Sequence, residues 1–214
     1  MGEIYKWHHY FPIYERYFQA WRDKEFTFVE IGVLQGGSLK MWRDYFGKKA
    51  RIIGVDIRPE SKMLENNDIE IRIGDQSDPN FWNAFITDVG PIDLVLDDDG
   101  HTCNQQIQTF LSLYNHVSTP GLYFVEDTHT SYWKRFQDRE DKQTFLEFAK
   151  RMTDFVNEWH FNEQNWDLFG KKPSERLKQP EVSPFCRNTS GVHFYDSIVV
   201  FERNKREDPW HQIR

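Results

Sequence analysis

Residues 26–42 read FTFVEIGVLQGGSLKMW, an apolar run followed by a glycine-rich turn and a segment of helical period. The run 26–32 has the length of a β-strand. Gly32, Gly36 and Gly37 let the backbone approach a bound group, and Ser38 is a candidate N-cap for the helix that follows. The stretch therefore predicts a strand, a turn that binds a ligand, and an α-helix whose N-terminal N–H groups face that ligand.

The same alternation continues along the chain. Further apolar runs of strand length lie at 51–57, 69–74, 92–97 and 122–126. Helix candidates begin at Ser38 and at Asp78, where Pro79 suits the first helical position, and span 104–117 and 141–159. Strands that alternate with helices predict a parallel sheet covered on both faces.

The end of the chain departs from this alternation, because residues 191–203, GVHFYDSIVVFER, predict two short strands that meet near Asp196 and Ser197. The predicted fold is α/β and Rossmann-like, with a seven-stranded, mostly parallel sheet, a C-terminal antiparallel hairpin, and helices on both faces. This architecture is common among S-adenosylmethionine-dependent methyltransferases. We expect a single domain over 1–214, with an aromatic N-terminal cap at 1–25 and an irregular lid or acceptor loop at 161–190.

Composition limits the classes of protein and partner. The 214 residues fit one domain, and the net charge of −7 without a basic run argues against binding to nucleic acid or to an anionic membrane. Cys103 and Cys186 are too few for a disulfide framework, and no run of about 18 apolar residues occurs. The sequence therefore indicates a cytoplasmic protein with a small polar partner.

Polar residues follow the first three predicted strands, where ligands bind in open α/β sheets. Asp56 lies about twenty residues after the glycines, at the distance of an acid that binds a ribose. Glu30 ends the first strand, and Asp75 and Gln76 follow the third, where an adenine edge would lie. These residues predict an adenosine-containing cofactor, although Glu30 and Asp56 are also compatible with plain strand-end acids, and Asp75 and Gln76 with an ordinary turn.

Two acidic clusters follow the next two strands. They read PIDLVLDDDGH over 91–101 and GLYFVEDTHTSYW over 121–133. Carboxylates this close repel one another unless a positive charge lies among them. A divalent cation is the natural counter-charge, because hard cations take oxygen ligands.

The chain resembles the macrolide-sugar and rhamnosyl O-methyltransferases from residue 6 to residue 203, with cephalosporin-hydroxylase-type proteins as more distant relatives. The motifs are EIGVLQGGSLKMW, GVDI, GDQSD, IDLVLDDDGH, TPGLYFVEDTHTSYW, HFYDSIVVFE and the opening KWHHYFPIYERYF. This resemblance implies a magnesium-dependent O-methyltransferase that moves the methyl group of S-adenosylmethionine to a sugar hydroxyl, such as that of the deoxyhexose rhamnose in a glycan or glycoside.

The resemblance also implies site residues. The metal ligands would be Asp98, Glu126 and Asp127, and His101 would be the general base beside Asp98. The glycine turn and the strand ends described above already predict the cofactor-binding residues, which are Glu30, Gly32, Gly36, Ser38, Asp56, Asp75, Gln76 and Asp97. Acceptor contacts would come from His129, Tyr132 and Trp133, for which a structural role or aromatic packing is the alternative.

Asp97-Asp98-Asp99-Gly100-His101 departs from the family's usual D-D-G-S-H, since the glycine is displaced by one position. Whether Asp97 or Asp99 joins the metal is therefore open, and a histidine that only bonds its own turn is the alternative for His101.

Other functions remain as alternatives. They are a metal-dependent hydroxylase or hydrolase on the same scaffold and a non-catalytic carbohydrate-binding domain. We expect a small-molecule or glycan acceptor, with the chain acting as a homo-oligomer or as one domain of a larger glycan-assembly protein.

Overall fold

The computed structural model of the protein describes residues 3–212 and contains a seven-stranded sheet in the order β3-β2-β1-β4-β5-β7-β6. The strands are β1 Thr27–Ile31, β2 Arg51–Asp56, β3 Ile69–Ile73, β4 Ile92–Asp97, β5 Val117–Val125, β6 Thr189–Phe194 and β7 Val199–Arg203. The first five strands run parallel, and β7 pairs antiparallel with both β5 and β6. The predicted fold, including the C-terminal hairpin, is confirmed.

Within residues 3–212, seven α-helices accompany the sheet. They are α1 Phe11–Phe18, α2 Gly37–Phe46, α3 Pro79–Val89, α4 Cys103–Leu113, α5 Phe145–Val156, α6 Trp166–Phe169 and α7 Pro184–Asn188. Successive residues of β1 enter opposite cores: Phe28 packs with α1 and α2, and Val29 packs with α3, α4 and α5. Burial on both faces explains why the central strands read as continuous apolar runs.

The helix termini agree only in part with the sequence pattern. Asp78 caps α3 as predicted, since its side chain accepts from the N–H of Asn80. The prediction that Ser38 caps α2 is wrong, because Gly36 is at the cap position with a φ of +76° that glycine adopts without strain. The Ser38 hydroxyl instead donates to Glu30 at 2.9 Å.

The segment 161–190 contains α6, α7 and short 3₁₀ turns. Trp159, Phe169 and Cys186 form a small apolar cluster of their own beside the main cores. Within residues 3–212, no helix is both long and apolar enough to cross a membrane.

Candidate functional site

The C-terminal ends of the central parallel strands open into a cavity of about 400 Å³. Gly32 allows the loop after β1 to touch the loop after β4. The φ of Gly32 is +95°, and a Cβ at this position would lie 2.3 Å from the carbonyl oxygen of Asp98. No side chain fits at that distance. The glycine turn predicted from the sequence therefore joins the end of β1 to the acidic cluster after β4.

Asp56 lies in the wall of this cavity, at the end of β2. The N–H groups of Val33 and Leu34 donate to its Oδ2 at 3.2 Å, and Arg58 bonds both carboxylate oxygens at 2.9 and 3.0 Å. Burial alone would raise the pKa of Asp56, but the hydrogen bonds from Arg58 and the Ser61 hydroxyl outweigh it and the net pKa is lowered. Asp56 is therefore held as an ionised carboxylate in the cavity wall, where a ribose hydroxyl would share its oxygens with Arg58 and the N–H groups of the glycine turn.

Glu30 is fully buried near the end of β1, beside the first turn of α2, and is not among the residues that line this cavity. It accepts from the Ser38 hydroxyl and from Trp42 Nε1 at 3.1 Å. Burial raises its pKa to about 7, and the ammonium of Lys6, 3.6 Å away, acts in the opposite direction. Of the other residues predicted to bind the cofactor at this turn, Gly32 and Ser38 line the cavity, and Gly36 is the N-cap of α2 beside it.

Three other predicted cofactor residues lie outside the cavity lining. Asp75 Oδ1 accepts from the N–H and hydroxyl of Ser77 within its own turn. Gln76 is buried and donates to Asp97 Oδ1 at 3.1 Å, and burial raises the pKa of Asp97 well above its usual value. Contact of Asp75, Gln76 and Asp97 with a cofactor stays a prediction.

Asp98, His101 and Asp127 form the polar centre of the site. Each of the three offers one ligand atom, and these atoms lie within 4.8 Å of one another. His101 Nε2 is 3.6 Å from Asp127 Oδ2. His101 and Asp127 both have left-handed backbones, with φ of +56° and +50°, which is costly for residues other than glycine and is often found at functional sites.

These three residues fit a divalent cation such as magnesium, because two carboxylates supply the hard oxygen ligands that it prefers. Asp99 also lines the cavity, and burial raises its pKa. Asp97 is buried beside Gln76, so of the two additional aspartates only Asp99 faces the cavity.

Glu126, the third predicted ligand, has both oxygens engaged inside the protein. Tyr14 donates to Oε1 at 2.5 Å, and Lys6 Nζ donates to Oε2 at 2.9 Å. The side chain of Glu126 is fully buried, and this burial raises its pKa to about 8. Lys6 also bonds Asp98 Oδ2 at 2.6 Å, so one ammonium bridges two predicted metal ligands.

Sequence reasoning missed Lys6, Tyr10 and Tyr14 as members of the site. They recur every four residues in the N-terminal segment and reach the same acidic pair, since Tyr10 donates to Asp127 Oδ1 at 2.6 Å. The regular four-residue spacing was the available signal, although only Tyr10 and Tyr14 lie in helical turns. Arg58 was also missed, and its place two residues after Asp56 could have suggested the ion pair.

A second cavity, of about 440 Å³, is lined on one side by the N-terminal residues of the chain and on the other by the carboxylates of the site. Tyr5, Trp7 and His8 line it together with Asp98, Glu126 and Asp127, and Lys6 lines both cavities. The aromatic N-terminal segment therefore covers the carboxylates of Asp98, Glu126 and Asp127, which are called the acidic centre below.

The predicted acceptor residues lie beside this centre. His129 Nδ1 is 3.0 Å from the Ser197 hydroxyl and 4.0 Å from Asp127 Oδ1, and its ring packs edge-on against Trp133. Tyr132 is 73% exposed and Trp133 45%. Neither they nor any residue of 161–190 is among the residues lining the two cavities, within the part of the chain the structure describes.

Two curated proteins that are similar to this chain are both named as O-methyltransferases. The chain is 34% identical over 92% of its length to 8-demethyl-8-alpha-L-rhamnosyl tetracenomycin-C 2'-O-methyltransferase of Streptomyces olivaceus, and 32% identical over 94% to mycinamicin VI 2''-O-methyltransferase of Micromonospora griseorubida. It covers 51% and 49% of those proteins, so it spans about half the length of the curated relatives it matches. No protein-family model matches the chain.

A solved structure has the same architecture and comparable identity. It is the MycE methyltransferase from the mycinamycin biosynthetic pathway in complex with Mg and SAH, which superposes with a TM-score of 0.76 at 29% identity and covers 95% of this chain and 50% of that one. The resemblance carried by the sequence motifs is thereby confirmed. Over the half of their length that it spans, the chain is a homologue of the sugar O-methyltransferases of macrolide and tetracenomycin pathways and shares their Rossmann-like methyltransferase fold.

Proposed function

We propose that this chain catalyses O-methylation of a sugar hydroxyl, with S-adenosylmethionine as the methyl donor and a divalent cation as cofactor. The single observation that carries the proposal is the junction at Gly32, where the turn after β1 touches Asp98. This junction puts the wall that contains Asp56 and the centre of Asp98, His101 and Asp127 in one cavity.

The chain's own residues would divide the work between binding and proton transfer. Asp56 would accept hydrogen bonds from the ribose of the donor, and the glycine turn would lie along the rest of it. Asp98 and Asp127, with Glu126, would hold magnesium, which lowers the pKa of a hydroxyl bound to it.

His101 would remove the proton of the acceptor hydroxyl as methyl transfer proceeds. Its left-handed backbone and its place in the cavity wall aim the ring at the acidic centre. Methyl transfer is an in-line displacement at carbon, so the main contribution of the surrounding residues is to align donor and acceptor.

The acceptor class comes from the relatives, whose names specify sugars of tetracenomycin and mycinamicin compounds. A rhamnoside or a related deoxyhexose is therefore the first acceptor to test. Contacts from His129, Tyr132, Trp133 and the segment 161–190 are part of this proposal, as is assembly with further copies of the chain or within a larger protein.

The alternative functions are not favoured. The metal-ligand group found in residues 3–212 contains one histidine, whereas iron oxygenases use two with one carboxylate. A non-catalytic carbohydrate-binding domain would not explain why the wall that contains Asp56 and the group Asp98, His101 and Asp127 share one cavity.

The test is calorimetric titration of S-adenosylhomocysteine into the protein, beside an assay of methyl transfer to rhamnosides with magnesium and with chelator. We expect binding in both conditions and transfer only with magnesium. Folded protein that does not bind S-adenosylhomocysteine would overturn the proposal, and full transfer in chelator would remove its metal part.

A further inference from the structure

Lys6 occupies an unusual position between the carboxylates of the site. Its side chain is 2% exposed, and Nζ lies 2.6 Å from Asp98, 2.9 Å from Glu126 and 3.6 Å from Glu30. Burial lowers the pKa of Lys6, but the charges of Glu126, Asp98 and Glu30 outweigh this, and the net pKa is raised. Three carboxylates surround Nζ, which is the arrangement of an ammonium ion held as their counter-charge.

This ammonium and a divalent cation need the same oxygens. Glu126 Oε2 accepts from Lys6 and Oε1 from Tyr14, so both oxygens that a cation would take already have a donor, and the donor on Oε2 is positively charged. Asp98 Oδ2 is also bonded to Lys6. A doubly charged ion that shared these carboxylates with an ammonium would experience strong repulsion in a buried site.

From this geometry we propose that Lys6 is a built-in counter-ion that a divalent cation displaces, so that cation binding releases the N-terminal segment 3–7 from the acidic centre. The inference rests on the proposed function for the identity of the cation-binding carboxylates. It makes Lys6 a positioning residue, since it acts through Asp98 and Glu126.

Release of Lys6 has a structural consequence beyond the metal. Lys6 lines both the cavity that contains Asp56 and the cavity under Tyr5 and Trp7. Its side chain therefore forms part of the wall between the region proposed for the donor and a cavity rich in aromatic side chains. Displacement of Lys6 would open a path between them beside Asp98, so cation binding would prepare the site for an acceptor.

The test uses proteolysis at Lys6 itself. Endoproteinase Lys-C cleaves after lysine, and it reaches Lys6 only when the side chain leaves its buried position. The protein is treated briefly with Lys-C at increasing Mn²⁺, and release of residues 1–6 is followed by mass spectrometry, while electron paramagnetic resonance measures bound Mn²⁺. Cleavage after Lys142, in an exposed loop, and sodium chloride at equal ionic strength serve as controls.

We expect release of residues 1–6 to accelerate about tenfold as Mn²⁺ saturates, with cleavage at Lys142 unchanged. Lys6→Met should bind Mn²⁺ about tenfold more tightly, because the cation then neutralises carboxylates that have lost their counter-charge. The matched control Lys40→Met removes an exposed ammonium that pairs with Asp44, and its Mn²⁺ affinity should equal that of the parent protein.

Two results would overturn the inference, and they are distinguishable. If Mn²⁺ binds and Lys6 remains protected, the ammonium and the cation coexist, and the proposed function stands while this inference fails. If the folded protein binds no Mn²⁺ at all, the metal part of the proposed function fails and the inference fails with it.

Discussion

At the scale of single residues, the site depends on side chains whose orientation is set by an unusual backbone. His101 and Asp127 adopt left-handed conformations and bring Nε2 and Oδ2 to 3.6 Å. Such conformations cost about 1–3 kcal/mol each, so the surrounding loops must compensate for them. The Thr130 hydroxyl contributes to this, since it lies 2.9 Å from the carbonyl oxygens of both His101 and Asp127 and its one proton is shared between them.

Replacement of His101 tests its role as the general base. Asparagine tolerates a left-handed backbone, so His101→Asn removes the imidazole with little disturbance of the turn. We expect kcat/KM for methyl transfer to fall by about 10²–10⁴-fold, the usual contribution of a general base, while S-adenosylhomocysteine binds as before. His160→Asn, which changes an exposed histidine outside both cavities, is the control. A His101→Asn protein with the parent rate would assign the proton transfer elsewhere.

Replacement of Asp56 tests the donor site separately. Asp56→Asn removes the charge that would accept from the ribose, and a hydrogen bond to a charged group contributes about 1.5–3 kcal/mol. We expect S-adenosylhomocysteine to bind about tenfold to a hundredfold more weakly by calorimetry. Asp44→Asn, at an exposed position on α2, should leave the affinity unchanged. Equal affinities for both variants would place the ribose away from Asp56.

At the scale of elements, α1 supports the acidic centre through tyrosine hydroxyls. Tyr14 and Tyr17 lie on the same helix and both hydroxyls are bonded, but Tyr14 bonds the buried carboxylate of Glu126 and Tyr17 bonds the hydroxyl of Tyr195 at 2.8 Å. The same substitution at the two positions therefore separates support of the carboxylate from general packing of α1.

We expect Tyr14→Phe to destabilise the fold by about 1–3 kcal/mol, because the fully buried carboxyl group of Glu126 loses a hydrogen-bond donor. Tyr17→Phe should cost less, since its partner, the hydroxyl of Tyr195, is less buried. Thermal unfolding measures both, at about 2–4 °C per kcal/mol for a chain of this size. A larger loss for Tyr17→Phe would mean that the hydroxyl of Tyr14 is not a principal support of Glu126.

The elements themselves were largely predictable, and their partners were not. The strand that ends at Asp97 and the strand that ends one residue before Glu126 were located because apolar runs are a local property of the sequence. The prediction for β5 began at Leu122, whereas the strand begins at Val117, because the sheet pairing that extends it is not local. Lys6 illustrates the limit most clearly, since it bonds residues 92 and 120 positions away and no local pattern specifies those partners.

At the scale of the whole molecule, the parallel strands bring buried acidic side chains, among them Glu30, Asp97 and Glu126, to one edge of the sheet. Burial makes the charged form of such groups costly. Burial raises the pKa of Glu126 to about 8, whereas the unfolded chain would lose this proton near its ordinary value of 4.5. The folded form therefore holds an additional proton between these values. The stability that Glu126 contributes is complete below this window and declines as pH rises through about 8.

A bound divalent cation should reverse this dependence, because its ligands must be deprotonated and its binding to Glu126 expels the proton. We expect magnesium to raise the melting temperature little at about pH 6 and by several degrees at about pH 9, where the proton no longer competes with the metal. Thermal unfolding with magnesium and with chelator across this range measures the difference. Asp98→Asn should abolish the magnesium increment at every pH. A magnesium increment in the parent protein that is equal at both ends of the range, or larger at the acidic end, would exclude Glu126 from the cation site and leave Asp98 and Asp127 as its carboxylate ligands.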